Sequence, residues 1–342
     1  MTYQHNLLTF IGRCEPLHNG HVHTLTYALT ISDKVLILLG SSFQASTIKN
    51  PWNFDERRDM ILSVPELAVA YGQNRLLIEP LSDSPYNDEQ WAAEVQRKIA
   101  LLQMPPAAKI GIIGHKKDES SYYLDMFPQW SLIETEQIEM INATDLRMMY
   151  FEGRTLSYLK AVVPPGVLAY LETFKQTKKY AELCLEFKHI QAYKEAWKAA
   201  PYAPTFVTTD AVVVQSGHIL LVERKHQPGA GLLALPGGFL NQDETLIDGM
   251  LRELREETKL KVPAPVLKGS VKWMKAFDKP NRSARGRTIT HAYLISLPPG
   301  RLPAVKGSDD AATAKWYPLA ELKQELMFED HFHIIQHMTA TL

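Results

Sequence analysis

The sequence predicts two units in tandem. Residues 1–180 read as an α/β unit with a doubly wound parallel sheet, and residues 205–342 as an α+β unit with a mixed sheet. A helical connector at 181–204 joins them. Three observations predict this. The chain has 342 residues, and a single core stops growing at roughly 250–300. In the first half, short apolar runs alternate regularly with helical patterns. Beyond Pro201 and Pro204 apolar runs return without that regular alternation.

The first half begins with an apolar strand at Leu7–Ile11 and a helix from Gly20 to Ile31. A strand at Val35–Leu39, a helix at Asp55–Val64, a strand at Arg75–Glu79 and a helix at Glu89–Gln103 continue the alternation. Lys109–Ile113 and Ser131–Glu136 are further short strands. Strand and helix at this spacing argue for a parallel sheet covered on both faces, with ligands at the carboxyl ends of the strands. After Pro164-Pro165 the stretch Val167–Ala200 is mostly helical, suited to packing within the chain or to a homo-oligomer contact. In the second half, Thr208–Val214 and His218–Glu223 flank Ser216-Gly217, a hairpin turn. A helix at Thr245–Lys259, strands near Val266–Trp273 and Thr288–Ile295, and a last helix near Leu319 complete the reading.

Composition narrows the function. Hydrophobic residues at 45% and charged residues at 22% fit a globular chain and exclude disorder. A net charge of -1 gives no long-range pull toward nucleic acid or anionic membrane, so neither is an expected partner. Any phosphate must be held by a few placed residues. The two cysteines, Cys14 and Cys184, form no disulfide framework and fit a reducing compartment. No secretory signal and no bilayer-length apolar segment is visible, so the expected location is the cytoplasm.

The first strand runs into Gly12-Arg13-Cys14-Glu15-Pro16-Leu17-His18-Asn19-Gly20-His21. A strand, a tight loop and a helix start make an anion site, because free backbone N–H groups and the helix dipole point at the loop. Gly12 and Gly20 allow close backbone approach to a phosphate. His18 and His21 lie three apart, on one face of the first turn, where two imidazoles can donate to phosphate oxygens. A surface pair or a metal site is the plainer alternative. A second cluster, Ile141-Asn142-Ala143-Thr144-Asp145-Leu146-Arg147, follows a strand and opens a helix, with Thr144 as N-cap and Arg147 one turn in.

Residues 12–21 resemble the Gly-Arg-Phe-x-Pro-x-His-x-Gly-His signature of the nucleotidyltransferase superfamily, and residues 141–147 resemble its second motif, Ile-Ser-x-Thr-x-x-Arg. Cys14 stands where Phe is usual and Asn142 where Ser is usual. The resemblance implies a Rossmann-like fold. Residues 49–60 and Tyr86-Asn87-Asp88-Glu89-Gln90-Trp91 are similar to the archaeal-type nicotinamide mononucleotide adenylyltransferases. That similarity implies ATP and nicotinamide mononucleotide as substrates, NAD as product, and Mg2+, with Mn2+ as the alternative, bridging phosphate oxygens. By the same resemblance Gly12, Arg13, Gly20, Asn87 and Thr144 bind substrate, while His18, His21 and Arg147 act on the reacting phosphates. An aromatic face suits a positively charged pyridinium. Trp91 is the stacking candidate and Trp52 the reserve, with core filling as the alternative for each. The basic run Gly114-His115-Lys116-Lys117-Asp118 reads equally as a phosphate contact or a solvated loop. Transfer to another phosphate acceptor, such as phosphopantetheine, is the competing reading.

In the second half, Gly237-Gly238 leads through Glu244 into a helix carrying Arg252-Glu253-Leu254-Arg255-Glu256-Glu257. Glu253 lies three and four residues before Glu256 and Glu257, so the carboxylates gather on one helix edge. Like charges so placed repel unless a hard divalent cation fills the gap. Gly238, Glu244, Arg252, Glu253, Glu256 and Glu257 match the Nudix box in register. The departure is Lys259 where the family has Gly. The resemblance implies that Glu253, Glu256 and Glu257, with Gly238 beside them, hold Mg2+ or Mn2+, and that Glu244 and Arg252 orient them. A box glutamate or an acid of Asp309-Asp310 is the candidate base. Residues 285–294, beginning at Arg285, are similar to ADP-ribose-type Nudix enzymes. ADP-ribose also avoids a futile cycle beside NAD synthesis. A non-hydrolysing ADP-ribose sensor is the alternative.

Overall fold

The computed structural model describes residues 3–116, 119–135, 142–154, 157–340 and 342. The chain divides into two compact units, Met1–Cys184 and Leu185–Leu342. The first contains β1 (His5–Gly12), α1 (Asn19–Ile31), β2 (Ser32–Leu39), α2 (Phe54–Leu62), α3 (Pro65–Gly72), β3 (Leu76–Pro80), α4 (Asp88–Ala100) and β4 (Ile110–Gly114). A 3-10 turn (Glu119–Asp125), β5 (Ser131–Glu134), α5 (Ala143–Phe151), α6 (Ser157–Val162) and α7 (Pro165–Phe174) follow. Helix α8 (Lys178–Ala196) spans the division.

The strands lie in the order β3-β2-β1-β4-β5, every pairing parallel. Val35 through Leu39 are fully buried, the unbroken apolar run of a strand covered on both faces. The order reverses between β1 and β4, and a doubly wound sheet opens its ligand crevice outside that switch point. Gly12 and Gly114 end those two strands, so the loops after them line the crevice.

The stretch after Pro164, read as a terminal helix plus a helical connector, holds the two helices α7 and α8, separated at 175–177. Two local expectations change here. The N-cap of α5 is Asn142, whose side chain accepts from Thr144 N at 2.9 Å, while Thr144 sits inside the helix. Helix α3 was unread, although Pro65 supplies the preset φ that favours a first helical turn. Glu136, Ile141, Lys117 and Asp118 lie outside the described residues.

The second unit contains β6 (Thr205–Gln215), β7 (His218–Arg224), β8 (Leu233–Ala234), β9 (Gly237–Phe239), α9 (Leu246–Thr258) and α10 (Ala264–Gly269). β10 (Val271–Phe277), β11 (Arg287–Ser296), β12 (Ala311–Pro318) and α11 (His331–Thr339) follow. The sheet order is β10-β11-β6-β7-β12, with β11 and β6 parallel and the other pairs antiparallel. Ser216 and Gly217 both take positive φ, as a two-residue hairpin turn requires. Residues 266–269 are helical, not extended, because Pro263 and Pro265 favour a helix start, and the helix closes at Gly269. Near Leu319 there is only a 3-10 turn, and the last helix is α11.

Helix α9 positions the second site. Met250, Leu251 and Leu254 are buried against Ala211, Val213, Leu220, Tyr293 and Ile295. Truncating such a leucine costs about 2–5 kcal/mol. The apolar stripe therefore fixes which edge of the helix carries Arg252, Glu253 and Glu256. Among the described residues no helix is long and apolar enough to cross a membrane.

Candidate active sites

In the first unit, the loop from β1 to α1 wraps the switch point. His18 is the N-cap of α1 in extended backbone, and its N–H donates to His21 Nδ1 at 3.3 Å. The two rings stack with centroids 3.7 Å apart. The structure thus brings His18 and His21 together at a helix N-terminus. Arg13 is half-buried and donates to Asn50 Oδ1 at 3.3 Å. Arg147 is buried and donates to the Glu15 carbonyl at 2.5 Å and Thr144 Oγ1 at 3.2 Å. Burial, reinforced by the nearby Arg13 charge, pushes Arg147 down to about 10. Two guanidinium groups held this close favour an anion between them. Gly12 and Gly20 flank the loop, half-exposed.

Two residues of this site were missed by the sequence reading. Arg57, on α2, is fully buried and donates to the carbonyls of Arg13 at 2.8 Å and Gly40 at 2.7 Å, and to Ser42 Oγ at 3.2 Å. It therefore clamps the loops after β1 and β2. Its Nε lies 3.5 Å from Glu15 Oε1, both side chains fully enclosed. Among the described residues neither Glu15 carboxyl oxygen has a hydrogen-bond partner. Burial pushes that carboxyl up to about 7 against the opposing pull of Arg57. No local pattern marks a charged residue for the interior.

The aromatic candidates separate. Trp52 is 2% exposed and packs against Tyr150 and Phe174, so the substrate-stacking role considered for it gives way to core filling. Trp91 is only partly buried and meets Tyr123 at 6.0 Å, while the Tyr123 hydroxyl donates to the Ile11 carbonyl at the end of β1. Trp91 also meets Phe127 at 6.1 Å and packs against the core cluster that holds Leu7, Ile11 and Leu36. Asn87 caps α4, accepting from Gln90 N at 3.0 Å. After β4, His115 Nδ1 lies 2.9 Å from the Thr135 carbonyl, and Lys116 pairs with Asp125 at 2.7 Å.

In the second unit, Gly238 lies on β9, and a Cβ there would stand 2.5 Å from Glu253 Oε1. Glycine is required so that the carboxylate can approach the strand. Glu244 accepts from Arg252 Nε at 2.9 Å and Nη2 at 2.7 Å, and from Asn241 N at 2.8 Å. Those bonds hold its carboxyl down at about 2. Arg252 Nη1 donates to Glu253 at 2.8 Å and Glu256 at 3.0 Å, so one guanidinium orients three carboxylates. Glu257 is buried and accepts from Gly237 N at 3.0 Å. Burial, with Glu253 adding, pushes it up to about 8. Lys259 ends α9 with φ 49°, in the left-handed conformation the motif reserves for glycine.

Among the described residues no group of three His, Cys, Asp or Glu side chains is gathered closely enough to hold a metal ion. The donor chemistry, carboxylate oxygen throughout, is the kind a hard divalent cation takes. Burial is the largest cause raising both Glu253 and Glu257. A hard cation beside them would favour the charged forms that burial disfavours. Asp310 is mostly in solvent, 3.9 Å from the His226 imidazole. Arg224, another unread residue, is held 4.0 Å over the Phe328 ring, and charge interactions link it to Glu257 and Arg285. Arg285 lies 5.0 Å over Phe239.

The NUDIX domain family model matches residues 204–338. A nicotinamide/nicotinic acid mononucleotide adenylyltransferase of Acinetobacter baylyi is 36% identical over 187 residues, 54% of this chain and 95% of its own length. An ADP-ribose pyrophosphatase of Methanocaldococcus jannaschii is 31% identical over 46% of this chain and 84% of its own. A crystal structure of a bifunctional NMN adenylyltransferase/ADP ribose pyrophosphatase from Francisella tularensis is 37% identical, covers 98% of this chain and 99% of its own, and superposes with a TM-score of 0.90. The chain belongs to the bifunctional NMN adenylyltransferase/ADP-ribose pyrophosphatase family. The Francisella member was also solved with AMP and a manganese ion, at a TM-score of 0.89. In this family member the loop of the transferase half follows β1, and the box of the Nudix half runs from β9 into α9, which packs on its sheet.

Proposed function

We propose that this chain makes NAD with its first unit and hydrolyses ADP-ribose with its second. The observation that carries the reading is the single likeness to the Francisella enzyme across 98% of the chain, which takes in both phosphate-handling constellations at once.

In the first unit, a phosphate oxygen of nicotinamide mononucleotide attacks the α-phosphorus of ATP. The bond to the bridging oxygen breaks and pyrophosphate leaves. His18 and His21 donate to the reacting phosphates from the α1 N-terminus, and Arg13 and Arg147 take the charge on the leaving group. Such transfer needs positioning and charge stabilisation and no covalent protein intermediate. Arg57 keeps the loop carbonyls fixed, and Trp91 offers its ring to the pyridinium.

In the second unit, Glu253, Glu256 and Glu257 would hold Mg2+, with Mn2+ as substitute, beside Gly238. When bound, such a metal lowers the pKa of water and neutralises diphosphate charge. Arg252, itself held by Glu244, orients Glu253 and Glu256, and the Gly237 N–H holds Glu257. Water opens the diphosphate to give AMP and ribose 5-phosphate, with a box glutamate as the base. Two free cysteines suit a reducing, cytoplasmic setting.

The test is a product assay of the full chain with Mg2+, once with nicotinamide mononucleotide plus ATP and once with ADP-ribose. NAD with pyrophosphate, and AMP with ribose 5-phosphate, are the expected products. Absence of either pair removes that half of the proposal.

A further inference from the structure

The loop that opens the first site carries an acid that the transfer step does not use. The Glu15 side chain is wholly enclosed, and Arg57 faces it with Nε 3.5 Å from Oε1. Every nitrogen of that guanidinium nevertheless donates elsewhere. Nε donates to the Asn53 carbonyl at 3.3 Å, Nη1 to the Arg13 and Gly40 carbonyls, and Nη2 to Ser42 Oγ. Among the described residues both Glu15 oxygens lack a hydrogen-bond partner. An enclosed carboxylate in that state is held in its charged form only by the charges around it. Arg57 on α2, Arg13 in the loop and Arg147 on α5 favour the charge, while Asp83, after β3, opposes it. Asp83 is itself engaged by Ser41 N, Ser41 Oγ and Gln44 Nε2. His18 and His21 stand at the start of α1. Burial pushes the Cys14 thiol and the Tyr123 phenol each up to about 12, so both stay neutral.

Arg147 also donates to the Glu15 backbone carbonyl at 2.5 Å, which ties the acid to the phosphate clamp. Arg13 and Arg147 therefore serve two charges. They favour the Glu15 carboxylate, and in the transferase reading they take the charge of the triphosphate. A nucleotide that engages them brings negative charge beside an acid with no hydrogen bonds of its own, which favours the protonated form. We propose that Glu15 is a proton-coupled counterion of this clamp: a carboxylate when the site is empty, it takes up one proton from solvent when ATP enters and releases it when the nucleotide leaves. The proposal rests on the transferase reading of the first unit. Glu15 is a positioning residue, because its enclosed side chain acts through Arg13 and Arg147 and not on the substrate. Proton uptake makes ATP affinity fall as pH rises. The fall starts near 7, where the empty site loses the Glu15 proton, and a single linked proton limits it to about tenfold per pH unit.

The test is calorimetric titration of the full chain with ATP and Mg2+, without nicotinamide mononucleotide, at pH 8 in two buffers of different ionisation heat. Wild-type enzyme is expected to take up about one proton per ATP bound, and Glu15→Gln, which keeps the shape and is neutral at every pH, none. The two proteins should bind ATP alike at pH 6, and at pH 8 the variant should bind about tenfold more tightly. Equal uptake in both proteins overturns the proposal, because the imidazoles of His18 and His21 would then carry the proton. No uptake in wild-type enzyme overturns it as well. An infrared difference spectrum of wild-type enzyme on adding ATP at pH 8 needs no variant. A carbonyl band of a protonated carboxyl should rise as a carboxylate band falls, and its absence overturns the proposal even if Glu15→Gln does not fold. Wild-type enzyme that binds no ATP refutes the transferase reading and the counterion with it. NAD synthesis with no proton uptake on ATP binding refutes the counterion alone.

Discussion

Gly238→Ala separates the fold of the Nudix half from its chemistry. The added Cβ would meet Glu253 Oε1 at 2.5 Å, Cδ at 2.6 Å and Oε2 at 2.9 Å. All three atoms belong to the far end of one flexible side chain, so the backbone need not move. The carboxylate would have to swing away by about an ångström, and misplacement on that scale costs about 100-fold in rate. That is about 2.7 kcal/mol of transition-state stabilisation. The 2.8 Å bond from Arg252 would be lost as well. That pair is partly open to solvent, so its loss costs at most about 1 kcal/mol of stability. The expected result is ADP-ribose hydrolysis reduced about 100-fold, with NAD synthesis and the melting profile close to wild type. Product release from ADP-ribose and from nicotinamide mononucleotide plus ATP, measured on one preparation, reads both. Wild-type hydrolysis in Gly238→Ala would refute the claim that the place of the Glu253 carboxylate matters.

Other consequences follow from single residues. Glu15 holds its proton in the folded chain up to about 7, well above its ordinary range. Between those values the unfolded chain has released a proton that the folded chain keeps, so stability falls as pH rises, and it levels off above 7. Glu15→Gln should flatten that slope in urea midpoints taken at pH 5, 6 and 8; an unchanged slope would show that Glu15 is not its source. Lys259→Gly relieves a left-handed residue at the end of α9 and should raise stability by about 1 kcal/mol, read as an upward shift in melting temperature. A chelator should stop ADP-ribose hydrolysis, and either Mg2+ or Mn2+ should restore it; hydrolysis that survives chelation contradicts the carboxylate assignment.

What the sequence discloses depends on whether a property is local. The apolar runs of β1 and β2 are legible because burial on both faces demands unbroken hydrophobic side chains. The helix that carries Glu253, Glu256 and Glu257 is legible from its spacing, and the left-handed residue at Lys259 follows from the same register. Arg57 and Glu15 are not legible, since only the packed loops decide that two charges meet inside. Trp52 and Trp91 are chemically alike, and only tertiary packing encloses the first and leaves the second partly open at the edge of the core. Asn142 and Thr144 are both good caps, and the chain's path selects the earlier one. The sequence around Val266 and Leu267 reads as strand because both are apolar in either state, while the flanking prolines carry the helix signal.

The most direct test of two independent phosphate sites is a crossed measurement of both activities in His18→Ala and Glu257→Gln. NAD synthesis should collapse in the first variant and persist in the second, and ADP-ribose hydrolysis should do the reverse. Either variant losing both activities while still folded, or keeping both at wild-type rate, would contradict the account.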